Sequence, residues 1–130
     1  MQFYLKENGM RTDLEYGELC ISGNEDYGFR PFQLMVASIA GCSASVFRKI
    51  LAKQRTEVQD LTIDADVVRN PEEANRIEEI KLRYVIKGYN LDPEKLYKNL
   101  EIARKNCSMV RSVENSIKIE ENIDTIELSR

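Results

Sequence analysis

The chain has 130 residues, 42% apolar and 32% charged, with 19 basic against 22 acidic side chains and a formal net charge of −3. That size fits one domain spanning residues 1–130, and the charge gives no electrostatic reason to expect a nucleic acid partner. The absence of histidine excludes Ser-His-Asp and Cys-His nucleophile pairs, most zinc sites and histidine general bases, so any chemistry falls to Cys, Arg, Lys, Tyr or carboxylates.

The opening "MQFYLKENG" carries neither the basic start nor the apolar run of a secretory signal, and a cytoplasmic location is expected. Phe3 and Leu5 suggest a first strand. Leu19 and Ile21, alternating with Glu18 and Cys20, suggest a second, short and half-buried. After the turn-rich "SGNEDYG", Pro31 stands where a helix can begin, and residues 32–53 read as that helix, with Arg48, Lys49 and Lys53 toward the end that suits cations. Its uncharged stretch, Pro31 to Phe47, is 17 residues long and includes Gln33, Ser38, Gly41, Ser43 and Ser45. A membrane span needs about 20 predominantly apolar residues, so a core helix is expected and no membrane association. Apolar or small on all sides, such a helix requires cover from a surrounding sheet or from a second subunit.

Leu61, Ile63, Ala65 and Val67 alternate with Thr62, Asp64 and Asp66. Ile80, Leu82, Tyr84 and Ile86 alternate with Lys81, Arg83 and Lys87. These are strands with one wet face, joined through the Asn70-Pro71 turn region. In "LDPEKLYKNLEIARKNC", Asp92 as N-cap, Pro93 at the first helical position and Glu94 in the first turn predict a helix. Leu96, Leu100, Ala103 and Cys107 form its buried stripe. Ile117 and Ile119, then Ile126 and Leu128, predict one or two closing strands. The order defines an α+β fold, a mainly antiparallel sheet packed around a buried, Cys-bearing helix.

Three cysteines, Cys20, Cys42 and Cys107, are an odd number that argues against a disulfide framework. Free cysteine commonly behaves as a small buried hydrophobe, so a purely structural reading is open for each. Cys20 sits among polar strand positions and receives no role. Cys42 and Cys107 both lie on helices facing a common core, where their approach to disulfide distance is open. Gly41, in a helix interior, suggests close approach of another backbone.

Two stretches resemble a known family. "RPFQLMVASIAGCSASV" is similar to the Pro-x-[Glu/Gln]-Leu signature and following cysteine of the OsmC/Ohr proteins, and "ARKNCSMVRSV" resembles their second cysteine motif. The two cysteines are 65 residues apart, as in that family. The resemblance covers essentially the whole chain and is closest in motif to the YhfA-like branch. It implies an intertwined homodimer and a peroxidase without cofactor or metal, in which Cys42 attacks an organic hydroperoxide and Cys107 resolves it as a disulfide. An external dithiol would then restore both thiols.

The resemblance also implies an arginine supporting the Cys42 thiolate, with Arg11 the candidate and Arg30 the alternative, and pocket walls formed by Phe32, Gln33, Leu34, Met35 and Met109. The family glutamate that holds the arginine is missing. Phe32 stands in its place against the Ohr and OsmC pattern, and Gln33 against the YhfA-like pattern. Glu25 or Asp26 in the preceding loop could replace it. The competing reading is a non-catalytic dimeric protein that binds a small molecule or senses redox state on the same fold.

Overall fold

The computed structural model describes all 130 residues. They fall into two compact units, Met1–Ala37 and Ser38–Arg130, with the boundary inside the long helix.

In the first unit β1 (Tyr4–Leu5), β2 (Met10–Asp13) and β3 (Glu18–Ile21) form an antiparallel sheet in that order. Tyr4 pairs with Arg11, and Arg11 with Cys20. Gly9, at φ 101°, makes the turn into β2 against the Ile21 carbonyl, a place where a Cβ has no room. The small β2 strand has no apolar alternation and was not anticipated. Buried Thr12 satisfies its hydroxyl by donating to the Gln2 carbonyl at 2.7 Å.

Helix α1 runs from Pro31 to Lys53. It is long and apolar enough to cross a membrane by length and composition, with a mean hydropathy of 1.5 over its most apolar stretch. Only one stripe, Val36, Ile39, Ser43, Phe47 and Leu51, is buried, and just 28% of the apolar stretch is covered by this chain. The expected cover on all sides is therefore not supplied by its own strands. Beside Gly41 there is open space, so the close backbone approach expected there is not made within the chain. The helix ends in a Schellman pattern, Thr56 N–H to Leu51 O and Arg55 N–H to Ala52 O, with Arg55 at φ 56° where glycine is usual.

The second unit carries a sheet in the order β4 (Glu57–Asn70), β5 (Arg76–Tyr89), β6 (Lys118–Glu127). β4 and β5 pair antiparallel, as β1–β2 and β2–β3 do, so the sheets are mainly antiparallel as expected; β5 and β6 add one parallel pairing. The parallel pairing is possible because β5 returns to β6 through α2 (Pro93–Asn106) and α3 (Ser108–Val113) rather than a hairpin. Ile80, Leu82, Tyr84 and Ile86 of β5 are fully buried, each apolar side chain of that size contributing roughly 1.5–3 kcal/mol. Tyr84 meets Phe47 of α1 edge-on, ring centroids 5.6 Å apart. The opposite face is charged: Arg83 bridges Asp64 at 2.7 Å and Asp124 at 3.1 Å.

Helix α2 starts as predicted, Asp92 accepting from the Lys95 N–H with Pro93 next. Its side chains close the outer edge of β6. Tyr97 Oη accepts from the Ile123 N–H at 3.0 Å and lies 3.3 Å from the Ile123 carbonyl, and Arg104 donates to the Ile119 carbonyl at 2.7 Å. Cys107 was expected on the α2 stripe. It sits instead at the break between α2 and α3, in extended conformation (φ −88°, ψ 109°) and fully buried.

Candidate functional site

Cys107 caps two helices at once. Its N–H donates to the Arg104 carbonyl at the end of α2, its carbonyl accepts the first α3 bond from Arg111, and its sulfur lies 3.5 Å from the Val110 N–H in the N-cap position. This geometry turns the chain so that Cys107, Ser108 and the Met109 N–H all face Cys42 on α1.

Cys42 is half-buried and free, as is its buried counterpart Cys107. The Ser108 hydroxyl lies 3.8 Å from the Cys42 sulfur, and the Met109 backbone and the Cys107 side chain are near enough to act on its protonation as hydrogen-bond donors. These donors, Met109 first, hold the Cys42 pKa below the ordinary thiol value against the opposing effect of burial. Burial pushes Cys107 the other way, helped by its hydrogen bond to Cys42 and by the charge there, while the Val110 N–H opposes the rise. The two thiols are thus differentiated, the Cys42 pKa held down and the Cys107 pKa pushed up.

Of the other predicted residues, Arg11, Arg30, Phe32, Gln33 and Met35 lie in the Met1–Ala37 unit. Arg11 pairs with Asp13 at 3.1 Å and lies over the Tyr4 ring at 4.7 Å. Its carboxylate partner is therefore Asp13, two residues along the strand, rather than Glu25 or Asp26. Arg30 stacks over Phe32, 4.7 Å from the ring centre, while Gln33 and Met35 are exposed. Met109 acts on Cys42 through its backbone, and the residue as a whole is 37% exposed.

Sequence reading missed a buried polar cluster beside the thiols. Ser43, next to Cys42, contacts Tyr84 Oη at 2.5 Å, and both hydroxyls reach Glu121 Oε2, at 3.1 and 2.7 Å. The other Glu121 oxygen has no hydrogen-bond partner and faces Arg104 Nη1 at 3.6 Å. A signal was present: Glu121 occupies an inward position in the alternation Ile117, Ile119, Glu121, Ile123.

An α+β fold with one free cysteine on the long helix and a second at a helix break is the class of architecture that these elements define. The family described as OsmC-like protein matches residues 23–122, and the chain belongs to that family. Among solved structures, a hypothetical protein from Aquifex aeolicus VF5 superposes with a TM-score of 0.87 at 23% identity, covering 98% of this chain and 96% of that one. An OsmC-like protein from Mycoplasma pneumoniae gives 0.83 at 14% identity, with 97% and 95% coverage. An organic hydroperoxide resistance protein from Elizabethkingia anophelis gives 0.75 at 16% identity, covering 97% of each chain. At these identities the likeness is one of fold. A comparison with curated proteins found no match.

Proposed function

We propose that the protein is a cytoplasmic thiol peroxidase for organic hydroperoxides, working as a homodimer with Cys42 as nucleophile and Cys107 as resolving thiol. The observation that carries this reading is the meeting of the two cysteine segments: Ser108, next to Cys107 at the α2–α3 break, has its hydroxyl 3.8 Å from the Cys42 sulfur, with the Cys42 pKa lowered and that of Cys107 raised. The Cys42 thiolate attacks the outer oxygen of the hydroperoxide. An S–O bond forms, the O–O bond breaks, and the alkoxide takes a proton to leave as alcohol. Cys107 then forms the disulfide with release of water, and an external dithiol returns both to thiols. Arg11, with Phe32, Gln33, Met35 and Met109, keeps the place in this reading that the family resemblance implies.

Homodimerisation is supported by the uncovered face of α1. A groove of about 630 Å³ runs between α1 and β4, lined by Ala40, Gly41, Ala44, Val58, Leu61 and Ile63 among others, and neither thiol lines it. Small residues along a helix admit another backbone closely, and an exposed apolar surface of this kind calls for a partner.

The test is stoichiometric. Reduced protein is exposed to a slight excess of cumene hydroperoxide at pH 7 and alkylated, and its peptides are mapped by mass spectrometry, with Cys42→Ser as control. Rapid Cys42–Cys107 linkage in the wild type alone is expected. Thiols still alkylatable after minutes would sink the peroxidase reading and favour the non-catalytic one, for which the absent family glutamate already speaks.

A further inference from the structure

The buried cluster of Ser43, Tyr84, Glu121 and Arg104 has no part in the scheme above, yet it touches both cysteine-bearing segments. Glu121 Oε2 holds Ser43, the residue that follows Cys42 on α1. Glu121 Oε1 faces Arg104, whose carbonyl accepts from the Cys107 N–H at 3.4 Å and whose guanidinium also binds the Ile119 carbonyl. Tyr84 clamps the first junction from the side, bonded to Ser43 and Glu121. Ser43 and Tyr84 are fully buried and the Glu121 side chain is only 5% exposed. Buried ion pairs add little to stability on balance, because desolvation opposes the attraction, so stability alone is a weak reason for one here.

We propose that Glu121 is a positioning residue for disulfide closure, its two carboxylate oxygens fixing the Cys42 turn of α1 against the α2–α3 break that carries Cys107. The proposal rests on the peroxidase reading. In closure Cys107 loses its proton and its sulfur attacks the sulfur of the Cys42 sulfenic acid. The S–S bond forms, the S–O bond breaks, and hydroxide leaves with a proton as water. Both reacting atoms belong to the protein, so their alignment is set by the two segments. In the earlier step a freely diffusing hydroperoxide finds its own approach to Cys42. Loosening the segments therefore slows closure more than sulfenic acid formation.

The experiment measures both steps in the reduced full-length protein after mixing with cumene hydroperoxide. Sulfenic acid is trapped with dimedone and disulfide is quantified by mass spectrometry. Glu121→Gln keeps the shape and removes the charge facing Arg104. Ser43→Ala removes the link beside Cys42 with little change in volume. Each is expected to lower the ratio of closure rate to sulfenic acid formation rate by about tenfold, with more dimedone adduct. Asn99→Ala is the control: it breaks a part-buried side-chain pair with Gln54 (2.8 and 2.9 Å) away from the cluster and is expected to leave the ratio alone. An unchanged ratio in Glu121→Gln and Ser43→Ala overturns the proposal, as does an equal fall in Asn99→Ala. Absence of any disulfide in the wild type overturns the peroxidase reading and this proposal with it, a result distinct from the other two.

Discussion

Replacing Tyr84 by Phe removes one oxygen atom and leaves the ring that packs edge-on against Phe47. What is lost is the 2.7 Å bond to Glu121 Oε2 and the 2.5 Å contact with Ser43. A hydrogen bond to a charged acceptor contributes about 1.5–3 kcal/mol net. The Ser43 hydroxyl can still donate to Glu121 at 3.1 Å, so the second contact adds little to the loss. The expected destabilisation is therefore about 2 kcal/mol. Urea unfolding of the reduced proteins at one fixed concentration measures it, as a lower midpoint with unchanged slope. A loss below about 0.5 kcal/mol, the floor for an ordinary hydrogen bond, would refute the assignment of the phenol as Glu121's principal donor. The sign with pH is also set. Burial, the Glu121 charge and their hydrogen bond raise the phenol pKa far above its ordinary value. The folded state thus favours the protonated phenol. Its contribution is full below the unfolded pKa of about 10 and fades at higher pH. Tyr84→Phe abolishes that alkaline loss.

Cys107→Ala removes the thiol that donates to Cys42. The inflection in the pH dependence of Cys42 alkylation by iodoacetamide should move upward, and an unmoved inflection would leave Met109 and Ser108 as the only relevant donors. Gly88→Ala places a Cβ against the Glu57 carbonyl, backbone that cannot swing aside, and should cost about 1–3 kcal/mol in urea unfolding; no loss would mean the β4–β5 end relaxes freely. Ala44→Arg puts a charge in the α1–β4 groove; sedimentation velocity is expected to show folded monomer for it and the proposed dimer for the wild type. A dimer that survives the change would place the interface elsewhere.

Legibility followed patterning. The alternations at 61–67 and 80–86 identified β4 and β5 because one face is wet. Their full lengths were hidden because the pairing slips between Val58 and Asp60 and between Val68 and Arg69, which breaks the two-residue period. That same period carries no information on strand direction, so the parallel partnership of β6 could not be read from Ile117 and Ile119. The Cys107 break was concealed because "KNCSMV" contains neither glycine nor proline; the thiol and backbone of Cys107 themselves do the capping. Cys42 and Cys107 were legible through motif and spacing. The acid of Arg11 was sought in the wrong loop because a strand neighbour two residues along, Asp13, lies on the same face. Glu121 was overlooked as one more charge in "EENIDTIE", although its parity with Ile119 and Ile123 pointed inward.

The two outer strands of the larger sheet differ in what they offer to other chains. Along β6 the outward Ile119 carbonyl and the Ile123 amide and carbonyl are already engaged by Arg104 and Tyr97, side chains that stand in for a neighbouring strand. Along β4 no strand of this chain pairs on the far side. Main-chain pairing is thus obstructed at 119–123 of β6 and open along β4. A second copy pairing along β4 would therefore find the 119–123 stretch of β6 already occupied by Arg104 and Tyr97, so the larger sheet could not be extended there in turn.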